Sequence, residues 1–230
     1  MKTVFALQHT HSEFLGLMED HLEGRGIRFR YVRPFVDGAV PDGPAQAAGL
    51  FLLGGGPWGA VSAPVLPSLA AEVTLTRAFL ALGRPVIGFG LGAQILCLAA
   101  GGDVEAAPLA VTVETARRID DDALGGLLPQ SWPLVTAMRD RPLPPPYARL
   151  LAVDPAGRPA LFQLGGNAFG FAGHPGTKVG MVEDLVMEFP EGLDDCGPAL
   201  ERLRAAQDDI RTSLAAIVTG LVQATGLMRP

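Results

Sequence analysis

Pro85-Val86-Ile87-Gly88-Phe89-Gly90-Leu91-Gly92-Ala93-Gln94 passes from one apolar run, through closely spaced glycines, into another. Val86 and Ile87 predict a buried strand. Ala93 to Ala100, apolar nearly all round, predicts a buried helix. Strand, sharp turn and helix in this order form the layout of a nucleophile elbow, with Gly90 at the crest. In such an elbow the crest residue holds a strained backbone conformation and flanking glycines permit close approach. The helix N-terminus then favours negative charge beside it.

Working outward, Val4 to Leu7 and Leu50 to Leu53 are short apolar runs, as expected of strands covered on both faces. Ile27, Phe29 and Tyr31 alternate with Arg28 and Arg30, predicting a strand with one wet face. Phe14, Leu15, Met18 and Leu22 recur at helical spacing, with Ser12 as the expected N-cap and Gly24 and Gly26 as the stop. Leu69, Val73, Phe79 and Leu80 mark a further helix ending near Gly83. This alternation argues for a parallel sheet with helices on both faces. The second half differs. Leu150 to Val153, Ala160 to Leu164 and Asn167 to Ala172 are strand candidates, the last two joined by a Gly165-Gly166 hairpin turn. Pro142 to Pro146 is expected to be a loop. Leu200, Leu203, Ile210, Leu214, Ile217 and Leu221 predict one C-terminal helix packing on the sheet.

Composition narrows the function. The chain of 230 residues is 48% hydrophobic and 18% charged, enough apolar content for a sizeable core in one α/β domain. A net charge of -6 argues against nucleic-acid binding by counterion release. Two distant cysteines, Cys97 and Cys196, form neither a disulfide framework nor a zinc site, and fit a reducing cytoplasm. The uncharged stretches Ala47 to Ala71 and Pro85 to Gly102 are punctuated by glycine and proline, unlike membrane spans. No signal-peptide cleavage pattern follows the N-terminus.

Gly88-Phe89-Gly90-Leu91-Gly92-Ala93-Gln94 resembles the nucleophile region of class I, triad-type glutamine amidotransferases, whose pattern is Gly-x-Cys-x-Gly-x-Gln. Leu53-Gly54-Gly55-Gly56-Pro57-Trp58-Gly59 is similar to the family's Gly-Gly-Pro loop, whose backbone N–H helps form the oxyanion hole. Ala168-Phe169-Gly170-Phe171-Ala172-Gly173-His174-Pro175-Gly176 is similar to the family's segment ending Gln-Phe-His-Pro-Glu. Leu7-Gln8-His9 and the Leu143 to Ala152 stretch are similar to stand-alone, GMP-synthase-like members. The resemblance implies a flavodoxin-like three-layer sandwich: a mostly parallel central sheet, helices on both faces and a small antiparallel hairpin portion, in a single domain over 1–230. It implies triad positions at Gly90, His174 and Gly176, and ligand-binding positions at Gly55, Gly56, Leu91 and Gln94. No cofactor and no metal are implied.

The departures set the functional expectation. The family's thiolate attacks the glutamine carboxamide, the histidine moves protons, and the glutamate orients the histidine. Here the cysteine falls on Gly90 and the glutamate on Gly176. Loss of the nucleophile costs about as much as loss of the whole triad, leaving roughly 10³-fold over water. Cys97 lies about two helical turns, roughly 10 Å, beyond Gly90 in an apolar run. Cys196 follows Asp194 and Asp195, whose carboxylates would raise a thiol pKa. Neither is a good substitute. His9, His11 and His174 make a three-histidine metal site conceivable, but no carboxylate spacing supports a ligand set. Gly54 to Gly56 lacks the ending of a phosphate loop, and Trp58 either lines a pocket or caps the core. The leading expectation is a protein without glutaminase activity, in a binding, regulatory or scaffold role. It would serve a separate synthetase or other polypeptide and hold a small carboxamide or carboxylate in the volume vacated at Gly90. The alternatives are an enzyme of different chemistry, using His174 and a backbone anion hole with help from Glu13, and an ammonia-donating amidotransferase with a displaced nucleophile.

Overall fold

The computed structural model describes residues 2–45, 47–191, 193 and 196–228. Strands β1 (Thr3–Leu7), β2 (Arg28–Val32), β3 (Leu50–Leu52) and β4 (Val86–Phe89) alternate with helices α1 (Met18–Glu23), α2 (Pro34–Asp37), α3 (Leu69–Ala81) and α4 (Leu91–Ala99). Then come β5 (Asp103–Glu105), β6 (Ala110–Arg118), β7 (Ser131–Met138), β8 (Arg141–Leu143), β9 (Arg149–Val153), β10 (Pro159–Leu164) and β11 (Ala168–Phe171). Three helices close the chain: α5 (Val179–Glu188), α6 (Gly197–Ala205) and α7 (Gln207–Thr225).

Nine strands form one sheet in the order β2-β1-β3-β4-β11-β10-β9-β6-β7. From β2 to β11 every pairing is parallel, and from β11 to β7 every pairing is antiparallel. β5 and β8 pair separately. Successive side chains of a strand face opposite ways, and both faces of the parallel half are covered. Val4, Ala6, Phe51, Leu53, Ile87 and Phe89 pack toward Met18, Leu22 and the α7 stripe of Leu214, Ile217 and Leu221. Phe5, Leu7, Leu50, Leu52 and Val86 pack toward Leu75, Phe79, Leu91 and Ile95 of α3 and α4. This is the flavodoxin-like layering, and it explains why these strands are uniformly apolar. Among the described residues no helix is long and apolar enough to cross a membrane.

Several local expectations are corrected. α1 begins at Met18, not after Ser12. Gly16 sits at φ +61°, with an added Cβ only 2.4 Å from the Gly176 carbonyl oxygen, and breaks the helical path. Ser12 instead donates its hydroxyl to Glu188 at 2.8 Å. Part of the Pro142 to Pro146 loop is strand β8. The expected single C-terminal helix is two, α6 and α7, divided at Ala206. The β6–β7 hairpin, the longest pairing in the sheet, has no counterpart among the sequence expectations.

Candidate functional site

Gly90 caps α4 at φ +53°, ψ −114°, a left-handed conformation that costs glycine least. The flanking glycines are steric necessities. An added Cβ would lie 2.4 Å from the Gly92 carbonyl oxygen at Gly88, and 2.1 Å from the Leu52 carbonyl oxygen at Gly92. Gly90 differs: the nearest atoms to its missing Cβ are Gly54 Cα at 3.8 Å, Ala172 O at 3.9 Å and Met138 Cβ at 3.9 Å. A Cβ would meet only ordinary contacts there, although the positive φ strains any side chain. The Gly90 N–H donates to Phe171 O at 2.9 Å and the Gly92 N–H to Leu53 O at 3.1 Å, fastening the elbow between β3 and β11.

Beside the crest is a cavity of about 30 Å³, bordered by Glu13, Gly54, Phe89, Gly90, Ala172 and His174 and roofed by α5. That is room for one water. The His174 ring stands 4.7 Å from the Phe89 ring, centroid to centroid. Its Nδ1 accepts the Gly176 N–H at 3.0 Å. An amide can only donate, so the neutral imidazole carries its proton on Nε2. Burial lowers the His174 pKa to about 4, which keeps the ring neutral near pH 7. The Nε2 atom is itself buried without a well-formed hydrogen bond, and the Phe14 backbone only weakly offsets the effect of burial on the ring. Glu13 Oε2 accepts the Gly56 N–H, and burial pushes this part-buried carboxyl up to about 7. A Cβ at Gly54 would lie 2.0 Å from Glu13 Oε1, so this approach requires glycine.

The remaining predicted site residues lie elsewhere. None of Gly55, Gly56, Leu91 and Gln94 borders the cavity. Gly55 packs on Leu91, and Gly56 lies under Leu185 of α5. Gln94 Nε2 donates to Arg139 O at 2.8 Å, while its Oε1 is buried without a partner. Glu13 and Leu185 both border the cavity beside Gly90. Gly176 is core: an added Cβ would lie 3.1 Å from Met18 Cγ and 3.3 Å from Leu214 Cδ2. The three histidines part company. His9 donates from Nδ1 to Gly54 O at 2.9 Å and from Nε2 to Glu72 Oε2 at 2.8 Å. Burial opposes its charge, but the Glu72 carboxylate prevails and raises its pKa. His11 is exposed on Glu188. Among the described residues no three His, Cys, Asp or Glu side chains are grouped to hold a metal. Burial pushes the Cys97 thiol up to about 12, and Cys97 does not touch the cavity. Cys196 is buried as well; Asp194 and Asp195 lie outside the described residues.

One anchoring residue gave no sequence signal. Asp140, at φ +62° after β7, accepts the Ala60, Val61 and Ser62 amides at 3.0 Å each through Oδ2. Its Oδ1 accepts the Ala107 amide at 3.2 Å. Burial would raise this carboxyl, yet the surrounding donors hold it below the usual range. It ties down the loop that follows the glycine run.

The sequence matches no family model and no curated protein. Solved structures do match. A glutamine amidotransferase from Methylobacillus flagellatus is similar at a TM-score of 0.83 and 24% identity, over 97% of this chain and 95% of that one. A glutamine amidotransferase from Thermotoga maritima is similar at a TM-score of 0.82 and 21% identity, over 96% and 98% of the two chains. A candidate GMP synthase subunit from Thermoplasma acidophilum is similar at a TM-score of 0.59 and 17% identity, over 90% and 98%. The chain has the glutamine amidotransferase fold. Within that fold a Cβ at residue 90 would meet only ordinary van der Waals contacts, whereas residue 176 is crowded by Met18 and Leu214.

Proposed function

We propose that this chain, as one domain over 1–230, is an amidotransferase-fold protein that does not hydrolyse glutamine and serves as a scaffold or regulatory subunit for a separate, synthetase-type polypeptide in the cytoplasm. The observation that carries this reading is Gly90: the crest has no nucleophile. His174 adds to it. With its proton on Nε2 and an amide at Nδ1, the ring cannot take a proton from a group at the crest. A wrong tautomer alone typically costs roughly 10⁴-fold. The 30 Å³ cavity weighs against a resident carboxamide or carboxylate and favours a role carried by surfaces. The Thermoplasma structure, that of a candidate GMP synthase subunit, supports a partner, and the buried Cys97 and Cys196 suit a reducing compartment. The test is ammonia release from glutamine. The expected rate equals that of a heat-denatured control. Release above that control, persisting after Cys97→Ser and Cys196→Ser, overturns the proposal.

One observation favours a second reading, an enzyme of other chemistry. Glu13 is a part-buried carboxyl titrating near 7 in the same cavity as an imidazole N–H without a well-formed hydrogen bond, a pairing suited to a general base. A reaction with a half-point near pH 7 that Glu13→Gln abolishes would carry that reading instead.

A further inference from the structure

A larger hollow lies where the strand order reverses. In open α/β sheets ligands sit outside the carboxyl ends of the strands at that switch point. Here it falls between β1 and β3, since the chain runs from β1 outward to β2 and returns to β3 on the other side. The loops leaving these three strands enclose about 330 Å³, within the range of small-molecule sites and about ten times the cavity at Gly90. The loop after β2 supplies Pro34 and Phe35. The loop after β3 supplies Trp58, Leu66 and Pro67, and the loop after β1 supplies His9. The Phe35 ring is already set edge-on against His11 at 4.7 Å and 77°.

The polar groups define the ligand's charge. Both His9 ring nitrogens are spent on Gly54 and Glu72, so neither is left to meet a charged ligand. Ser68 also borders the hollow and donates its hydroxyl to Glu72 Oε1 at 2.6 Å, which leaves its oxygen able only to accept. A phosphate would need the amides of the loop after β1. The His11 N–H, the Ser12 N–H and the Ser12 hydroxyl already donate to the Glu188 carboxylate, at 3.2, 3.2 and 2.8 Å.

We propose that this hollow binds a neutral bicyclic heteroaromatic compound bearing a ring N–H, of the indole or purine-base class, with its ring against Trp58 and Phe35 and its N–H donated to Ser68. The site is independent of the reading given to Gly90. The test titrates the full chain with indole, 1-methylindole, adenine and AMP by ligand-observed NMR. Indole or adenine is expected to saturate with a Kd below about 1 mM. Phe35→Ala, at a partly exposed side chain that folding tolerates, should weaken binding roughly tenfold by removing an aromatic wall. Met187→Ala, on the exposed face of α5, should leave it unchanged. 1-Methylindole should bind several-fold more weakly than indole to the native chain and equally to Ser68→Ala, because only indole has the N–H to lose. Three results overturn the proposal: no saturation by indole or adenine up to about 5 mM, affinity indifferent to Phe35→Ala, or AMP binding more tightly than adenine.

Discussion

At Gly90 the backbone is held at φ +53° while a Cβ would meet only ordinary van der Waals contacts, so the strain there is one of backbone conformation rather than crowding. Gly90→Cys should fold at a cost of roughly 1–2 kcal/mol for a side chain in a left-handed conformation, read by urea denaturation. The new thiol sits at a helix N-terminus and should alkylate faster than either native cysteine. Ammonia release should nevertheless stay at background, because the Gly176 amide still holds His174 in the Nε2–H tautomer; substantial turnover would show that the missing thiol was the sole defect. Glu13 makes a second prediction. Its folded pKa of about 7 lies above the ordinary 4.5, so its contribution to stability is complete below 4.5 and is lost as pH rises through 7. His174, lowered to about 4 from 6.5, acts oppositely: its contribution is complete above 6.5 and is lost as pH falls through 4. The difference between Glu13→Gln and the native chain isolates the first effect. It should be near zero at about pH 4.5 and reach on the order of 2 kcal/mol in favour of the variant at about pH 8. A difference independent of pH would mean that folding leaves the Glu13 pKa unshifted. Gly90 and His174 were legible in the sequence because each lies in a patterned run. Glu13 stood out in the sequence only as an aid to His174, because its proximity to Gly54 and Gly56 exists only after β1 and β3 pair.

Asp140 shows how one turn can govern a neighbouring element. Its carboxylate gathers three successive amides of the loop after β3 and a fourth from the segment before β6. Charge-assisted bonds of this kind are stronger than neutral ones, and removing the acceptor strands the buried Ala60 donor and three part-buried ones. Asp140→Ala should therefore cost about 3 kcal/mol. Hydrogen exchange should accelerate first at Ala60, Val61 and Ser62; uniform acceleration across the sheet would assign Asp140 to global stability instead. The elements legible in the sequence are those covered on two faces, such as Val4 to Leu7 and Val86 to Phe89, where burial enforces an apolar run. The β6–β7 hairpin was hidden for the opposite reason. Val111, Val113 and Val135 face α5 and α6, while Thr112, Glu114 and Thr136 line an open cleft, and Pro133 lies within β7. The division between α6 and α7 was hidden because Leu203 and Ile210 pack into one cluster, so the apolar stripe runs through the break without glycine or proline to mark it.

At the scale of the molecule the cores are unequal, and the two cysteines report on different ones. Cys97 belongs to the cluster between the sheet and α3–α4, with Phe79, Ile95 and Leu96, and is wholly buried. Opening that cluster means separating α4 from β3 and β4, the centre of the parallel sheet. Cys196 belongs to a small satellite with Leu185 and Leu193, against the outer end of the antiparallel half, and is 7% exposed. Fewer apolar side chains hold that satellite, so it should open with a smaller free energy and expose less surface in doing so. Labelling with an aromatic disulfide at increasing urea should show two phases. The faster should depend weakly on denaturant and vanish in Cys196→Ser. The slower should match global unfolding measured by circular dichroism, because the burial that pushes the Cys97 thiol to about 12 disappears only when the central strands part. One phase for both thiols, with the denaturant dependence of global unfolding, would show that the satellite and the central core open together as a single cooperative unit.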